Sequence, residues 1–325
     1  MFTSAKALQK LPTDAMMKRL FCVLLSILML PALALAENQK VFYEDETAPF
    51  PKDAELLTLY VCPIGGADCM LLTLGEHTML VDTGRPTQAE QVQEMLHSLG
   101  LSEVEYVFST HPHSDHIGGV IPLLDAGFGI GTFITMFPHE YVENINAYDY
   151  FGETLRALDR SNVPVLDLKT EDKIPFGDAE LTVYRIPDEQ IYEGLTCNEM
   201  SSVLLVRYGD CRVVLTADIE PTHPSQILLA SLYDLKADIM KYPHHGMSLI
   251  TRELLDNISP EFVFFTHGAG NTQQPQAQLY RNSIPRMVFA TWGLITMKTD
   301  GSKWTVRQDI FPDYQEIADT YVFPQ

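Results

Sequence analysis

The sequence predicts an α/β fold built as one compact domain, on three observations. Apolar runs of strand length alternate with runs of helical period along residues 37–325. No internal repeat, charge block or long Pro/Ser linker interrupts that alternation. The opening is rich in hairpin turns, unlike a purely βαβ chain. With 325 residues, 46% of them hydrophobic, there is ample chain for a large core, and neither a disordered tail nor a cysteine-stapled miniprotein fits.

Residues 56–62, 68–74 and 78–81 read as consecutive strands separated by the turns Ile64-Gly65-Gly66 and Leu74-Gly75-Glu76-His77. Residues 86–99 read as an amphipathic helix closed by Gly100, with Val92, Met95, Leu96 and Leu99 as its inner stripe. It feeds a strand at 104–109, and a loop dense in His and Asp follows directly. Next come a helix at 119–124, a strand at 132–136, a helix at 152–159, and strands at 181–185, 202–208 and 211–216. Helices at 225–233 and 251–258 then alternate with strands at 238–242 and 261–266, and a final sheet segment spans 287–306.

Lys18-Arg19 precedes an apolar run over 20–35, and Ala34-Leu35-Ala36 offers a small-x-small cleavage site before polar Glu37-Asn38-Gln39. Residues 1–36 are therefore expected to be a secretory signal and 37–325 an exported domain without a stable transmembrane segment. The alternative, an N-terminal membrane anchor, is disfavoured because the run is broken by Pro31 and falls short of the roughly 20 residues that span a bilayer. Cys62, Cys69, Cys197 and Cys211 remain, an even number that permits disulfides without selecting a pairing. A net charge of −21 makes extended nucleic-acid binding unfavourable, since each neutralised phosphate needs about one Lys or Arg. A metal ion would reverse that sign locally.

The chemistry concentrates in Thr110-His111-Pro112-His113-Ser114-Asp115-His116, directly after a strand. Neutral imidazole nitrogens and carboxylate oxygens about 2 Å from an ion are the donors a divalent metal needs, and this loop supplies them for one ion or two neighbours. His111 and His113, two apart, can face one ion while Asp115 and His116 face another. A polar turn that merely solvates is the bland alternative, but such clustering by chance is improbable among 10 His in the chain.

The pattern HxHxDH after a strand, with Val81-Asp82-Thr83-Gly84 upstream, resembles the metallo-β-lactamase superfamily. The resemblance covers nearly all of 37–325 and is closest to its ComEC-like branch and to secreted phosphorylcholine esterases. Ile64-Gly65-Gly66-Ala67-Asp68 looks like that branch's opening turn, with Asp68 at a characteristic acidic position. Val213-Val214-Leu215-Thr216-Ala217-Asp218 looks like a strand ending in a metal-bridging Asp, and Met240-Lys241-Tyr242-Pro243-His244-His245-Gly246 like its HHG motif. The closing strands at 262–266 and the hairpin at 298–304 look similar too.

The resemblance implies an αββα four-layer sandwich in a single domain and two divalent ions, zinc favoured and manganese the alternative. It implies His111 and His113 on one metal, Asp115, His116 and a histidine of the HHG motif on the other, and Asp218 bridging. His245 is preferred to His244 as that ligand. Asp82 and Asn198 are expected to hold ligands by hydrogen bonds, and Asp115 or His244 to relay a proton. Asp218 alone would read equally well as a helix N-cap. His139, His223 and His267 are minor candidates for touching substrate.

Two departures stand out. Only His139 lies between His116 and Asp218, too early to be a further histidine ligand, so one metal has fewer protein ligands. Gln273-Gln274-Pro275-Gln276 stands where competence proteins often carry a histidine–proline repeat, which weakens a transfer of DNA hydrolysis. The expected activity is secreted hydrolysis by a metal-activated water, on a phosphoester or phosphodiester of a small or cell-wall-derived substrate. The alternatives are hydrolysis of a lactone, ester or lactam, and a metal-containing binding protein without turnover. Tyr141, Tyr148, Tyr150 and Tyr192 suit an aromatic box for a choline-like cation, though a simple cover for the core edge is the preferred reading.

Overall fold

The structure is a computed structural model and describes residues 39–138, 150–191, 194–222 and 225–324. The expected signal segment, His139, Tyr141, Tyr148, Tyr192 and His223 lie outside the described residues. Lys40–Gln325 forms one compact unit. No helix among the described residues is long and apolar enough to cross a membrane.

The strands are β1 (Val41–Tyr43), β2 (Leu57–Val61), β3 (Met70–Leu74), β4 (His77–Val81), β5 (Glu103–Ser109), β6 (Gly129–Thr135), β7 (Val165–Asp167) and β8 (Lys173–Phe176). They continue as β9 (Ala179–Tyr184), β10 (Val203–Tyr208), β11 (Cys211–Leu215), β12 (Ile239–Lys241), β13 (Phe262–Phe265), β14 (Met287–Phe289), β15 (Gly293–Thr299) and β16 (Trp304–Ile310). One sheet runs β1-β16-β15-β2-β3-β4-β5-β6-β7 and the other β14-β13-β12-β11-β10-β9-β8. In each sheet one half is largely antiparallel and the other parallel: β4, β5, β6 and β7 run parallel in the first, and β11, β12, β13 and β14 in the second.

Both faces of both sheets are buried, which is why the strands are apolar throughout rather than alternating with polar residues. The two-residue period instead sorts side chains between two cores. Met70, Leu72 and Leu74 of β3 meet Leu204 and Val206 of β10 and Val213 and Leu215 of β11 between the sheets. Leu71, Val107 and Phe133 face the other way, as do Val214, Met240 and Phe265, into the helix-covered core. That core includes Val92 and Leu96 of α1 (Ala89–Ser98), Phe151 of a later helix, Tyr150–Arg160, and Leu254 and Leu255 of another, Arg252–Ile258. The result is the four-layer αββα sandwich expected.

The helix expected at 86–99 begins as a 3-10 turn, Pro86–Gln88, before α1 proper. The edge strands β7 and β8 and the helices Gln273–Arg281 and Pro312–Thr320 escaped the periodicity reading. β7 is a three-residue edge with every residue exposed, and β8 carries Pro175, which argues against a strand unless the strand is short and peripheral. The four cysteines are buried free thiols.

Candidate metal centre

Parallel strands in both sheets end on the same edge of the sandwich, and the loops after them carry the chemistry, as open α/β sheets favour. β4 delivers Asp82 and β5 the loop from Thr110 to His116. β11 delivers Asp218, β12 delivers Lys241 at its last position, and the Pro243–Gly246 turn follows. Asp68 precedes β3, which runs antiparallel to β4 and so starts at the same edge. Its backbone N–H donates to the Asp115 carbonyl at 3.1 Å, tying the opening turn to the histidine loop.

These turns hold unusual backbone. Asp82, Ala217, His244 and His245 have φ of 59°, 49°, 48° and 54°, the left-handed region that costs a non-glycine residue about 1–3 kcal/mol. At Gly246, φ is +89° and a Cβ would lie 2.5 Å from the Phe265 ring, so the HHG turn can close only on glycine.

The side chains converge on one carboxylate oxygen. Asp218 Oδ2 lies 3.1 Å from His116 Nε2, 3.3 Å from His245 Nε2, 3.8 Å from His244 Nε2 and 4.0 Å from His111 Nε2. Asp115 Oδ2 stands 3.7 Å from His245 Nε2, and the His113 ring packs edge-on against His111 with centroids 4.6 Å apart. Two donors that share one ion at about 2.1 Å each sit roughly 3–4 Å apart, so the spacing suits shared ligands. Asp68, His116, Asp218 and His245 in particular offer donor atoms within 4.8 Å of one another and could hold a metal ion.

The opposite ring nitrogens show why the Nε2 atoms point inward. His116 Nδ1 pairs with Asp82 Oδ2 at 2.7 Å and His245 Nδ1 with Asp68 Oδ1 at 2.9 Å. His111 Nδ1 lies 3.1 Å from Thr110 Oγ1, whose own hydroxyl donates to Asp82 at 2.7 Å, so Nδ1 carries the proton and Nε2 the lone pair. His111 Nε2 and His245 Nε2 are buried without a hydrogen-bond partner. Such orphaned nitrogens, each with its other nitrogen held by a fixed group, fit the requirements of metal ligands.

Burial and neighbouring charge divide the histidines. Burial, then the His116 charge, lowers His113 to about 4, and the same causes push His111 well below its ordinary value. For His116 burial acts in the same direction, but Asp218 and Asp82 outweigh it and raise the imidazole to about 10. His245 rises well above its ordinary value despite burial, through Asp218 and Asp68. The Asp68 and Asp218 carboxyls fall below theirs, their burial outweighed by Lys241 and these histidines.

Lys241 is fully buried, with Nζ 2.5 Å from Asp68 Oδ2, 3.3 Å from Asp218 Oδ1 and 2.7 Å from the Ala217 carbonyl. The sequence motifs assign Lys241 no role and Asp68 no partner. The available signal for Lys241 was its parity: it shares a face with core residue Ile239 in the strand Ile-Met-Lys. Asp218 begins no helix, so the N-cap alternative is set aside. Asn198 donates to Glu220 Oε1 at 3.3 Å, and Glu220 Oε1 lies 2.5 Å from His244 Nδ1. Arg85 reaches Asp115 Oδ2 at 3.1 Å and also donates to the Gly66 carbonyl. His267 lies against Gly66, and Tyr150 sits half-buried at the start of its helix, packed on the core.

The family model described as the metallo-beta-lactamase superfamily matches residues 62–267. A ribonuclease Z from Archaeoglobus fulgidus is 28% identical over 124 residues, 36% of this chain and 37% of that protein. A beta-lactamase-like protein 2 homolog from Caenorhabditis elegans is 37% identical over 62 residues, 18% of this chain and 21% of its own length. The matched part is thus about a third or less of either relative. Among solved structures, CmlA, a diiron beta-hydroxylase from Streptomyces venezuelae, superposes with a TM-score of 0.51 over 78% of this chain and 55% of its own, at 15% identity, a likeness of fold alone.

Proposed function

The chain belongs to the metallo-β-lactamase superfamily, and from that premise we propose that it is a metal-dependent phosphoesterase with a binuclear centre. The observation that carries the reading is the convergence of imidazole Nε2 atoms on Asp218 Oδ2, with their outer nitrogens already engaged. In this reading His111 and His113 serve one ion, Asp115, His116 and His245 the other, and Asp218 both. Divalent ions held there supply Lewis acidity, which lowers the pKa of water and polarises a phosphoryl oxygen. An imidazole-rich donor set favours zinc, with manganese open through its carboxylates.

This chain's own residues orient and neutralise. Asp82 and Asp68 fix the tautomers of His116 and His245, and Lys241 secures the second oxygen of Asp218. Arg85, partly exposed beside Asp115, offers a guanidinium where an anionic substrate group would enter. That cation in an otherwise acidic protein, and a relative named as a ribonuclease, support a phosphodiester over a neutral lactone or lactam. The acidic surface favours a small or cell-wall-derived substrate over extended nucleic acid. Kinship with the ComEC-like branch and the phosphorylcholine esterases rests on the Gly65-Gly66, Asp68 and HHG segments, and export on the pattern around Ala34-Leu35-Ala36.

The test is hydrolysis of a chromogenic phosphodiester by metal-stripped protein titrated separately with zinc and with manganese, beside His113→Ala. Turnover restored by metal in the parent and absent in the variant is expected. Metal bound without turnover of the phosphodiester would overturn the phosphoesterase assignment and direct assays to lactones, esters and lactams.

A further inference from the structure

His244 stands outside the ligand assignment above, yet its surroundings copy those of the assigned histidines. Its Nδ1 lies 2.5 Å from Glu220 Oε1 in an ion-pair contact, placing a carboxylate at the side where Asp82 and Asp68 hold His116 and His245 by hydrogen bonds. Its Nε2 is 3.8 Å from Asp218 Oδ2, within the span covered by His116, His245 and His111. A carboxylate on the outer nitrogen of an imidazole fixes its tautomer and raises its strength as a donor, and three of the inward-facing histidines carry one.

Glu220 is itself held in place. Asn198 Nδ2 donates to its Oε1 at 3.3 Å and Ser248 Oγ to its Oε2 at 3.3 Å. The His244 N–H donates to the Ala217 carbonyl at 3.0 Å, locking the HHG turn to the strand end that carries Asp218. Consecutive left-handed residues splay the two imidazoles, with ring centroids 5.9 Å apart and planes at 60°.

The splay sends the rings to different neighbours. His245 Nε2 lies 3.7 Å from Asp115 Oδ2 and its ring 5.1 Å from that of His116, whereas His244 turns away toward Glu220 and meets Asp218 Oδ2 with its Nε2. The donor set of His111 and His113 is also the thinner one, because no described histidine lies between His116 and Asp218 in the sequence.

Resting on the binuclear reading, we propose that His244, aimed by Glu220, completes the donor set of His111 and His113, so that the two adjacent histidines of the HHG turn serve two different ions joined by Asp218. Glu220 is a positioning residue in this arrangement, and Asn198 and Ser248 brace it.

Metal binding, rather than activity, tests the assignment. Calorimetric titration of the metal-stripped protein with zinc, and cobalt(II) absorption spectra to report ligand sets, would be compared among the parent, His244→Ala, Glu220→Gln and His245→Ala. The expected results are two sites in the parent, loss of one in His244→Ala with the second unchanged, and loss of the opposite site in His245→Ala. Glu220→Gln should weaken only the His244 site, by about 10–100-fold. Two unaltered sites in a folded His244→Ala would overturn the proposal and leave His244 as a proton relay. A parent that binds no divalent ion would instead overturn the binuclear reading itself.

Discussion

The two halves of the centre hold similar side chains in opposite electrical states. On one side, His111 and His113 are neutral, their basicity lowered by burial and by neighbouring positive charge, His113 to about 4. On the other, His116 and His245 sit between carboxylates, with His116 raised to about 10. The difference comes from the counter-charge: a hydroxyl holds His111 Nδ1, whereas Asp82 and Asp68 hold the other two. One half therefore presents lone pairs outright, and the other must release protons before it can bind a cation.

Asp218 Oδ2 faces the histidines of both halves, so removing it has the largest expected effect. On the proposed binuclear reading, Asp218→Ala should abolish binding at both sites and lower the proposed phosphodiesterase activity to background, checked by metal analysis of dialysed protein beside the activity assay. Retention of one tightly bound ion would show that the halves are independent.

Lys241 comes next, because with His116 and His245 it supplies the positive charge that lets Asp68 and Asp218 stay buried as anions. Removing one partner of a buried ion pair costs about 3–5 kcal/mol. Metal-free Lys241→Met should lose stability of that order in urea unfolding, and added zinc should recover part of it by supplying replacement charge. An equal deficit with and without zinc would show that Lys241 and the metal do not share these carboxylates.

The same contrast decides what was legible in the sequence. The histidine loop is contiguous: three imidazoles and an aspartate lie between His111 and His116, so their chemistry shows without coordinates. The second sheet supplies single residues from the ends of separate strands, and Asp68 meets His245 across 177 positions. Family likeness located Asp218 and the HHG turn, but only packing reveals that Lys241 turns inward and that Glu220 reaches His244. The layers were readable because apolar runs mark buried strands, whereas β8, with its proline, and the Gln-rich helix Gln273–Arg281 lack an apolar signal strong enough to compete.

The smallest effect expected is the most diagnostic of the two halves. A group whose folded pKa is raised stabilises the metal-free protein while protonated, so the His116 contribution is full below its ordinary value of 6.5 and disappears as pH rises through about 10. Metal must displace that proton, so apparent affinity at the His116 site should climb with pH across this window. The site of His111 and His113 should be insensitive over the same range, because His113 has already lost its proton above about 4. Asp82→Asn removes the carboxylate that both raises and orients His116. It should weaken metal binding about 10–100-fold at high pH and flatten the dependence between pH 6.5 and 10. Zinc titrations at several pH values check both effects, and an unchanged pH slope in Asp82→Asn would assign the proton released on binding to His245 instead.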